Sequence, residues 1–413
     1  MVKNTTLDYQ SKQVGTWGLF IGIILIGANL RAPLTSVGSL LPFIRDDVGI
    51  SNTLAGLITT LPLLAFAFLS PLAPKIASRI GMEWTVFWSL FLLTMGMVVR
   101  SYFGTAALFA GTVFIGLAIA IGNVLIPGMI KKNFPYRIGL VTGMYAVIMN
   151  FFAALASGIS VPVSFVFGIG WKGALAFWTI LSILAMVIWI PQIRRRSQNT
   201  RAKQVAFKKS NSLLKSPLAW HITLYMGAQS LMFYTASTWV PVILQSYGYS
   251  SSSAGWMLSL MQFTVVPFTF LIPVMAEKMG SQRALSVSTG VLFFLGSGGL
   301  FLGHHFLIPI SVIFIGIASG SAFSLSMMFF SLRASSGQQA AEISGMAQSV
   351  GYLLAAFGPV LFGALYDVTN AWTIPLAGLL VLSCFIIFFG NEAGKNRLLD
   401  DEHRPLAEQV GVN

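Results

Sequence analysis

Long apolar stretches alternate with short polar ones along almost the whole chain. Each of twelve stretches is long enough to cross about 30 Å of hydrocarbon as an α-helix. They cover residues 17–43, 51–73, 84–100, 106–130, 139–163, 173–191, 219–244, 254–276, 285–303, 307–331, 343–366 and 372–390. A polar, basic stretch from Arg194 to Lys215 separates the first six from the last six. The pattern predicts an all-α membrane protein with twelve transmembrane helices.

Composition supports this assignment, and the placement of charge orients the helices. Only 9% of the 413 residues are charged, against about 25% in soluble proteins. Of the 25 Lys and Arg residues, 21 fall on the side of the N-terminus and three, Arg45, Arg100 and Lys172, on the other. Since basic loops stay in the cytoplasm, we expect a multi-pass plasma-membrane protein with both termini inside. The net charge of +13 then needs no nucleic-acid partner. The expected partners are bilayer lipid and a small solute, and a monomer is expected.

The two halves of the sequence repeat at an offset of 199 to 202 residues. Apolar matches follow from composition alone, but matches of Gly and Pro that keep register do not. These pairs are Pro42 with Pro241, Gly49 with Gly248, Pro74 with Pro273, Gly81 with Gly280 and Gly116 with Gly316. The repeat predicts an N-terminal six-helix bundle over 1–193, a basic cytoplasmic linker over 194–216 and a C-terminal six-helix bundle with a cytoplasmic tail over 217–413.

Six plus six helices around a basic linker is the pattern of major facilitator transporters. Within that superfamily, the stretch Asn29-Leu30-Arg31-Ala32-Pro33-Leu34-Thr35-Ser36-Val37-Gly38, with Leu40-Leu41-Pro42 after it, resembles the first helix of the cyanate permease and 2-nitroimidazole transporter group. The resemblance implies two pseudo-symmetric bundles, alternating access, and a substrate held near the midplane between the halves. A small anionic or nitro-bearing solute is the implied cargo.

The superfamily loop between helices 2 and 3 is Gly-rich and carries an Asp and several Arg. Here the segment Pro74–Gly81 keeps Arg79 and Gly81 but has Ser78 where the Asp would stand. The matching loop of the second half contains Glu277, Lys278 and Gly280. The resemblance implies a gating role for these five residues, and the departure at Ser78 weakens it for the first half.

Arg31 is the residue with the strongest functional signal. It lies 14 residues after Trp17, roughly 21 Å at helical rise and so near the bilayer centre. An arginine there costs at least about 2.5–3.5 kcal/mol and cannot lose its proton. All 12 acidic residues fall near the ends of the spans or in the tails, which disfavours a carboxylate partner. Helix carbonyls, water and an anionic substrate are the alternatives. We favour the substrate, because a guanidinium fork suits carboxylate, nitro or cyanate groups.

Other polar residues at mid-depth are candidate substrate contacts, although each can equally make a hydrogen bond between helices. They are Asn29, Asn123, Asn150, Gln229, Tyr234, Gln262, Gln348 and Tyr352, with Tyr145 and Trp256 as weaker candidates. Glu342 is the acid nearest to a span interior and is the candidate for proton coupling, while uniport and exchange also fit.

The sequence contains no group of residues that indicates an enzyme, a metal site or a cofactor. Its four His and one Cys have no metal-ligand spacing, and no Ser/His/Asp set lies at one depth. The alternative function is a broad-specificity drug or nitroheterocycle exporter of the same fold.

Overall fold

The computed structural model describes residues 2–50, 52–166, 168–199 and 210–400. Over these residues the chain forms α-helices, one short 3-10 helix at Ser210–Lys215, and no strands. The helices are α1 Val2–Val48, α2 Asn52–Leu69, α3 Ala73–Ile80, α4 Met82–Tyr102, α5 Gly104–Asn133, α6 Ile138–Val166, α7 Gly170–Phe177, α8 Thr179–Asn199, α9 Pro217–Ser246, α10 Ser251–Lys278, α11 Arg283–Leu302, α12 Leu307–Leu332, α13 Gly337–Thr369 and α14 Thr373–Ala393.

Ten segments among the described residues are long and apolar enough to cross a membrane, and a bent pair of helices makes eleven. The bent pair consists of Thr60–Leu69 and Ala73–Ile80, which meet at 55°. Helix α9 is 30 residues long and holds the first place in the second repeat, as α1 does in the first. Counting α9, the architecture accommodates the twelve predicted spans.

The segment 74–81, predicted as a loop, is mostly helical, and that prediction was wrong. Pro74 stands in the first turn of α3, a position where proline is favoured because its missing N–H would have no helical partner anyway. Gly81 ends the helix with φ 94°, a conformation that glycine adopts without strain. The sixth span is also made of two helices, α7 and α8, which meet at the buried Trp178.

The described chain separates into two units. Unit 1 comprises Met1–Met129 and Met144–Lys209, and unit 2 comprises Ile130–Gly143 and Ser210–Asn413. The boundaries predicted at 193 and 217 stay predictions. Residues 200–209 of the predicted linker and the tail from 401 onward lie outside the described residues.

Within unit 1, α1 packs closely against α5 and α6 through glycines. A Cβ added at Gly27 would lie 2.9 Å from Cδ2 of Tyr145 on α6, and one added at Gly122 on α5 would lie 2.7 Å from Cδ2 of Leu30. Small residues permit such close approach between helices, where dispersion and hydrogen bonds provide most of the attraction. The α1 segment that carries Arg31 is therefore seated in the helix bundle.

Unit 2 contains a buried arginine just after α12. Arg333 follows α12 and is 2% exposed. Its guanidinium donates to the carbonyl oxygens of Ala393 (3.0 Å) and Gly394 (3.1 Å) and to Oε1 of Gln282. Burial lowers the pKa of Arg333 to about 10, so the group stays charged at neutral pH. Arg333 ties the ends of α12 and α14 to the turn before α11.

Candidate functional site

Arg31 and Asn150, both predicted as substrate contacts, meet in unit 1. Arg31 lies on α1 and is half-buried. Its Nη1 donates to Oδ1 of Asn150 on α6 at 3.3 Å. The Nδ2 group of Asn150 donates to the carbonyl oxygen of Ala146, one turn earlier, at 2.9 Å. This second bond uses the amide N–H₂ within α6 and leaves the amide oxygen directed at the guanidinium.

The stretch Asn29–Thr35, which we call the proline segment, contains Arg31 and Pro33. Pro33 has no N–H, so the helical hydrogen bond to the carbonyl of Asn29 is missing. Side chains tie this segment to other helices. Asn29 Nδ2 donates to a carbonyl oxygen of α8 at 3.2 Å, and Thr35 Oγ1 donates to a carbonyl oxygen of α6 at 2.9 Å. Asn29 and Arg31 thus face different helices, as their separation of about 200° around α1 requires.

Arg100 contacts the proline segment from another helix, and the sequence did not predict this contact. The sequence placed it on the outer side of the membrane, and in the structure only 1% of it is exposed. From the last turn of α4 its Nη1 donates to the carbonyl oxygen of Pro33 at 2.8 Å. Its Nε and Nη2 have no hydrogen-bond partner among the described residues. Its position at the end of an apolar span hid this contact, because a long side chain can reach back into the bundle.

Asn123 and Tyr145 form a second polar pair in unit 1. The Tyr145 hydroxyl donates to Oδ1 of Asn123 at 3.2 Å, and both residues are buried. The Tyr145 ring also forms the surface against which Gly27 of α1 packs. The pair therefore joins α5 and α6, and its tyrosine ring packs against the helix that carries Arg31.

In unit 2, two of the predicted glutamines are buried and bonded within their own helices. Gln229 Nε2 donates to Oγ of Ser230 at 2.8 Å on α9, and Gln348 Nε2 donates to Oγ of Ser344 at 2.8 Å on α13. Ser230 holds the position that corresponds to Arg31 in the repeat. The second repeat thus has neutral groups where the first has a cation.

The remaining candidates of unit 2 differ in exposure. Tyr352 is buried, Tyr234 is half-buried, and Gln262 and Trp256 are exposed. Tyr234 packs edge to face with Phe233, their ring centroids 5.4 Å apart.

The predicted gating residues lie at the ends of α3 and α10. Arg79 and Lys278 are exposed. Ser78, which stands at the family's Asp position, donates from Oγ to the carbonyl of Lys75 at 2.7 Å within its own helix. Glu277 lies against Gly139, where an added Cβ would be 2.8 Å from the Glu277 Cβ.

The two loop glycines differ in what they require of the backbone. Gly81 has a positive φ, which would strain a residue with a side chain. At Gly280, an added Cβ would meet nothing within 4 Å.

Glu342, the candidate for proton coupling, is half-buried near the start of α13. Its Oε1 accepts a hydrogen bond from Nε2 of Gln338 at 3.1 Å, one turn earlier. A carboxylate with one neutral partner at partial burial can bind and release a proton without breaking a salt bridge.

Comparison with known proteins places these residues in a family context. Residues 19–359 match the sequence model of the family described as Major Facilitator Superfamily. The chain is 45% identical over 390 residues to YycB, an uncharacterized transporter of Bacillus subtilis (strain 168), covering 94% of this chain and 96% of YycB. It is 40% identical over 397 residues to the 2-nitroimidazole transporter of Escherichia coli (strain K12), covering 96% and 99% of the two chains.

A more distant relative and a solved structure extend the comparison. The cyanate transport protein CynX of Escherichia coli (strain K12) is 25% identical over 361 residues, which cover 87% of this chain and 92% of CynX. The structure of the proton:xylose symporter XylE bound to 6-bromo-6-deoxy-D-glucose superposes with a TM-score of 0.69 at 14% identity, covering 94% and 97% of the two chains. At that identity the likeness concerns the fold alone, and it confirms the predicted twelve-helix class.

Proposed function

The chain belongs to the Major Facilitator Superfamily, and we propose that it moves a small anionic or nitro-bearing solute across the membrane by alternating access, with Arg31 contacting the solute. That it is a membrane transporter follows from the family and from its relatives. The choice of solute and the role of Arg31 are the parts that we propose.

One observation carries the proposal. A half-buried arginine stands in the middle of a membrane-spanning helix and is held by the amide oxygen of Asn150 at 3.3 Å. An amide is neutral, so this bond fixes the guanidinium without cancelling its charge. A planar guanidinium presents five N–H donors in a fork that matches two oxygens of one planar group. Nitrate, a carboxylate and a nitro group all present that pattern.

The names of two relatives support the same class of solute. One is a transporter of 2-nitroimidazole and one a transport protein for cyanate. 2-Nitroimidazole and cyanate are both small molecules with a compact negative or partly negative end, and neither is large or lipophilic. A cation at the site would attract that end in either molecule. The relatives thus favour a transporter of compact solutes over a broad-specificity exporter.

A transport experiment tests the role of Arg31. Purified wild type, Arg31→Ala and Arg31→Lys would be reconstituted in liposomes, and uptake of nitrate, cyanate and 2-nitroimidazole would be measured. We expect Arg31→Ala to lose uptake of whichever probes the wild type carries, and Arg31→Lys to keep part of it, because a lysine retains the charge but not the fork.

The matched control is Arg45→Ala. Arg45 lies on the same helix but forms an exposed ion pair with Asp46 at 2.8 Å, so uptake should stay within about twofold of wild type. Wild-type affinity in Arg31→Ala would overturn the proposal. Uptake of bulky neutral drugs that is indifferent to Arg31 would support the exporter.

We also propose that both termini are cytoplasmic. Three basic residues are predicted on the outer side. Arg100 is buried, while Arg45 and Lys172 are partly or fully solvent-exposed, which supports the charge bias. Thiol labelling from outside the cell tests this. In a Cys384→Ala background, Lys172→Cys should react with an impermeant maleimide and Lys75→Cys should not. The reverse pattern would invert the topology.

A further inference from the structure

Arg100 is buried at a cost that the helix packing around it does not require. It donates one hydrogen bond, to Pro33, while its Nε and Nη2 have no hydrogen-bond partner among the described residues. Burying a charged group with unused donors is expensive, and such groups persist where they have a role.

The internal repeat allows the position of Arg100 to be compared with a matching position in the second half. At an offset of 200 residues, Gly96 and Arg100 of α4 correspond to Gly296 and Leu300 of α11. Leu300 is fully buried, as Arg100 is. An apolar side chain therefore serves at the same position of the second repeat.

The two helix pairs also pack alike. A Cβ at Gly96 would lie 3.0 Å from the carbonyl oxygen of Gly111 and 3.1 Å from Cγ1 of Ile115. A Cβ at Gly296 would lie 2.8 Å from the carbonyl oxygen of Ser311 and 2.7 Å from Cγ1 of Ile315, the residues that correspond to Gly111 and Ile115. The same close approach of helices is thus made with leucine at the position of the arginine. The arginine is not needed for that packing.

What distinguishes the first repeat is the helix that Arg100 contacts. Arg31 and Pro33 of α1 correspond to Ser230 and Met232 of α9, so the second repeat lacks both the cation and the proline. Arg100 donates to the carbonyl of Pro33, two residues from Arg31. The features that set the first repeat apart therefore meet on the proline segment.

We infer that Arg100 is a positioning residue for Arg31. Its bond to the Pro33 carbonyl holds the proline segment, where one helical hydrogen bond is missing, and so fixes the place from which the Arg31 guanidinium meets an anion. A small displacement of a binding group is enough to cost a large part of its effect. The inference rests on the proposed function of Arg31.

The test compares Arg100→Leu, which installs the residue of the second repeat, with Arg100→Lys, which keeps a charged donor. Uptake of nitrate, cyanate and 2-nitroimidazole would be measured in liposomes, and hydrogen exchange of residues 29–37 in purified protein. We expect Arg100→Leu to fold, to exchange faster in the proline segment, and to raise KM about tenfold with the maximal rate within about threefold. Arg100→Lys should recover most of the affinity.

A double variant separates positioning from a general loss of structure. If Arg100 acts through Arg31, adding Arg100→Leu to Arg31→Ala should change KM little beyond the effect of Arg31→Ala alone, since coupled residues are not additive. Leu300→Met, a volume-conserving change at the matched position, is the control and should leave KM and exchange of residues 29–37 unchanged.

Each of four other outcomes would overturn the inference. Wild-type KM in Arg100→Leu, with Arg31→Ala impaired, overturns the inference and spares the proposed function, even if exchange is faster. Failure of Arg100→Leu to fold also overturns it, because the arginine would then serve the fold. Fully additive effects in the double variant do the same. Wild-type KM in Arg31→Ala overturns the proposed function and the inference together.

Discussion

Asn150 accepts a hydrogen bond from Arg31 at 3.3 Å, and it does so with a neutral amide oxygen. A carboxylate of almost the same size at this position would form a buried or half-buried ion pair and cancel the charge of the guanidinium. Under the proposed function, a carboxylate at position 150 would therefore compete with an anionic solute for Arg31.

Asn150→Asp should abolish or strongly weaken solute binding while leaving the protein folded. The new carboxylate lies within hydrogen-bond distance of Arg31 and competes with an anionic solute from inside the protein at an effective concentration that the solute cannot match. We expect KM for nitrate or cyanate to rise at least tenfold, measured by uptake into liposomes. Asn150→Ser, which keeps a neutral acceptor, should have a smaller effect, and an unchanged KM in Asn150→Asp would contradict this account.

Gly27→Ala should destabilise the protein, whereas Gly38→Ala on the same helix should not. A Cβ at Gly27 would lie 2.9 Å from the Tyr145 ring and 3.1 Å from the Tyr145 carbonyl oxygen, whereas one at Gly38 meets nothing within 4 Å. Overpacking of this kind costs about 1–3 kcal/mol, and it would displace α1 from the Asn123–Tyr145 pair. Thermal unfolding of the purified proteins provides the comparison. Equal melting temperatures would show that α1 adjusts freely at Gly27.

Arg333→Met should lower stability without changing the affinity for solute. The substitution removes the donors to Ala393, Gly394 and Gln282. The Gly394 carbonyl keeps the donors Gln282 N–H and Ser281 Oγ, but the Ala393 carbonyl and Oε1 of Gln282 lose the guanidinium. Hydrogen bonds to charged groups contribute about 1.5–3 kcal/mol each, so we expect a loss of at least about 2 kcal/mol. Lys75→Ala, at an exposed position, should stay within about 0.5 kcal/mol. A wild-type melting temperature in Arg333→Met would contradict the structural role assigned to this arginine.

The sequence predicted the helices well, because a membrane-spanning helix must satisfy its backbone internally and needs an apolar run of a fixed length. It did not predict that 74–81 is helical, since Pro and Gly in a basic stretch resemble a loop. The short α3 shows that the same residues can also begin and end a helix.

For the candidate site, residue type and depth along the helix brought out Arg31 and Asn150, but not their contact. Which face of α6 meets α1 depends on tertiary packing, here on Gly27 against Tyr145. For a related reason, the burial of Arg100 and Arg333 was not predicted. Each follows or ends an apolar helix, and sequence position alone cannot tell a side chain that extends into water from one that turns back among helices.

Glu342→Gln should remove accumulation driven by a pH gradient but keep exchange of solute across the membrane. Glutamine has nearly the same shape and can still accept from Gln338, whose Nε2 lies 3.1 Å from Oε1 of Glu342, but it cannot bind and release a proton. Liposomes loaded with unlabelled nitrate would report exchange, and an imposed pH gradient would report coupled accumulation. We expect exchange within about twofold of wild type and loss of the gradient-driven component.

Asp367→Asn changes an exposed carboxylate at the end of the same helix. It is the matched control and should retain both exchange and gradient-driven accumulation. Accumulation that survives in Glu342→Gln would assign coupling to a histidine or to the solute itself, and a wild type that ignores the gradient would identify the carrier as a uniporter or an exchanger.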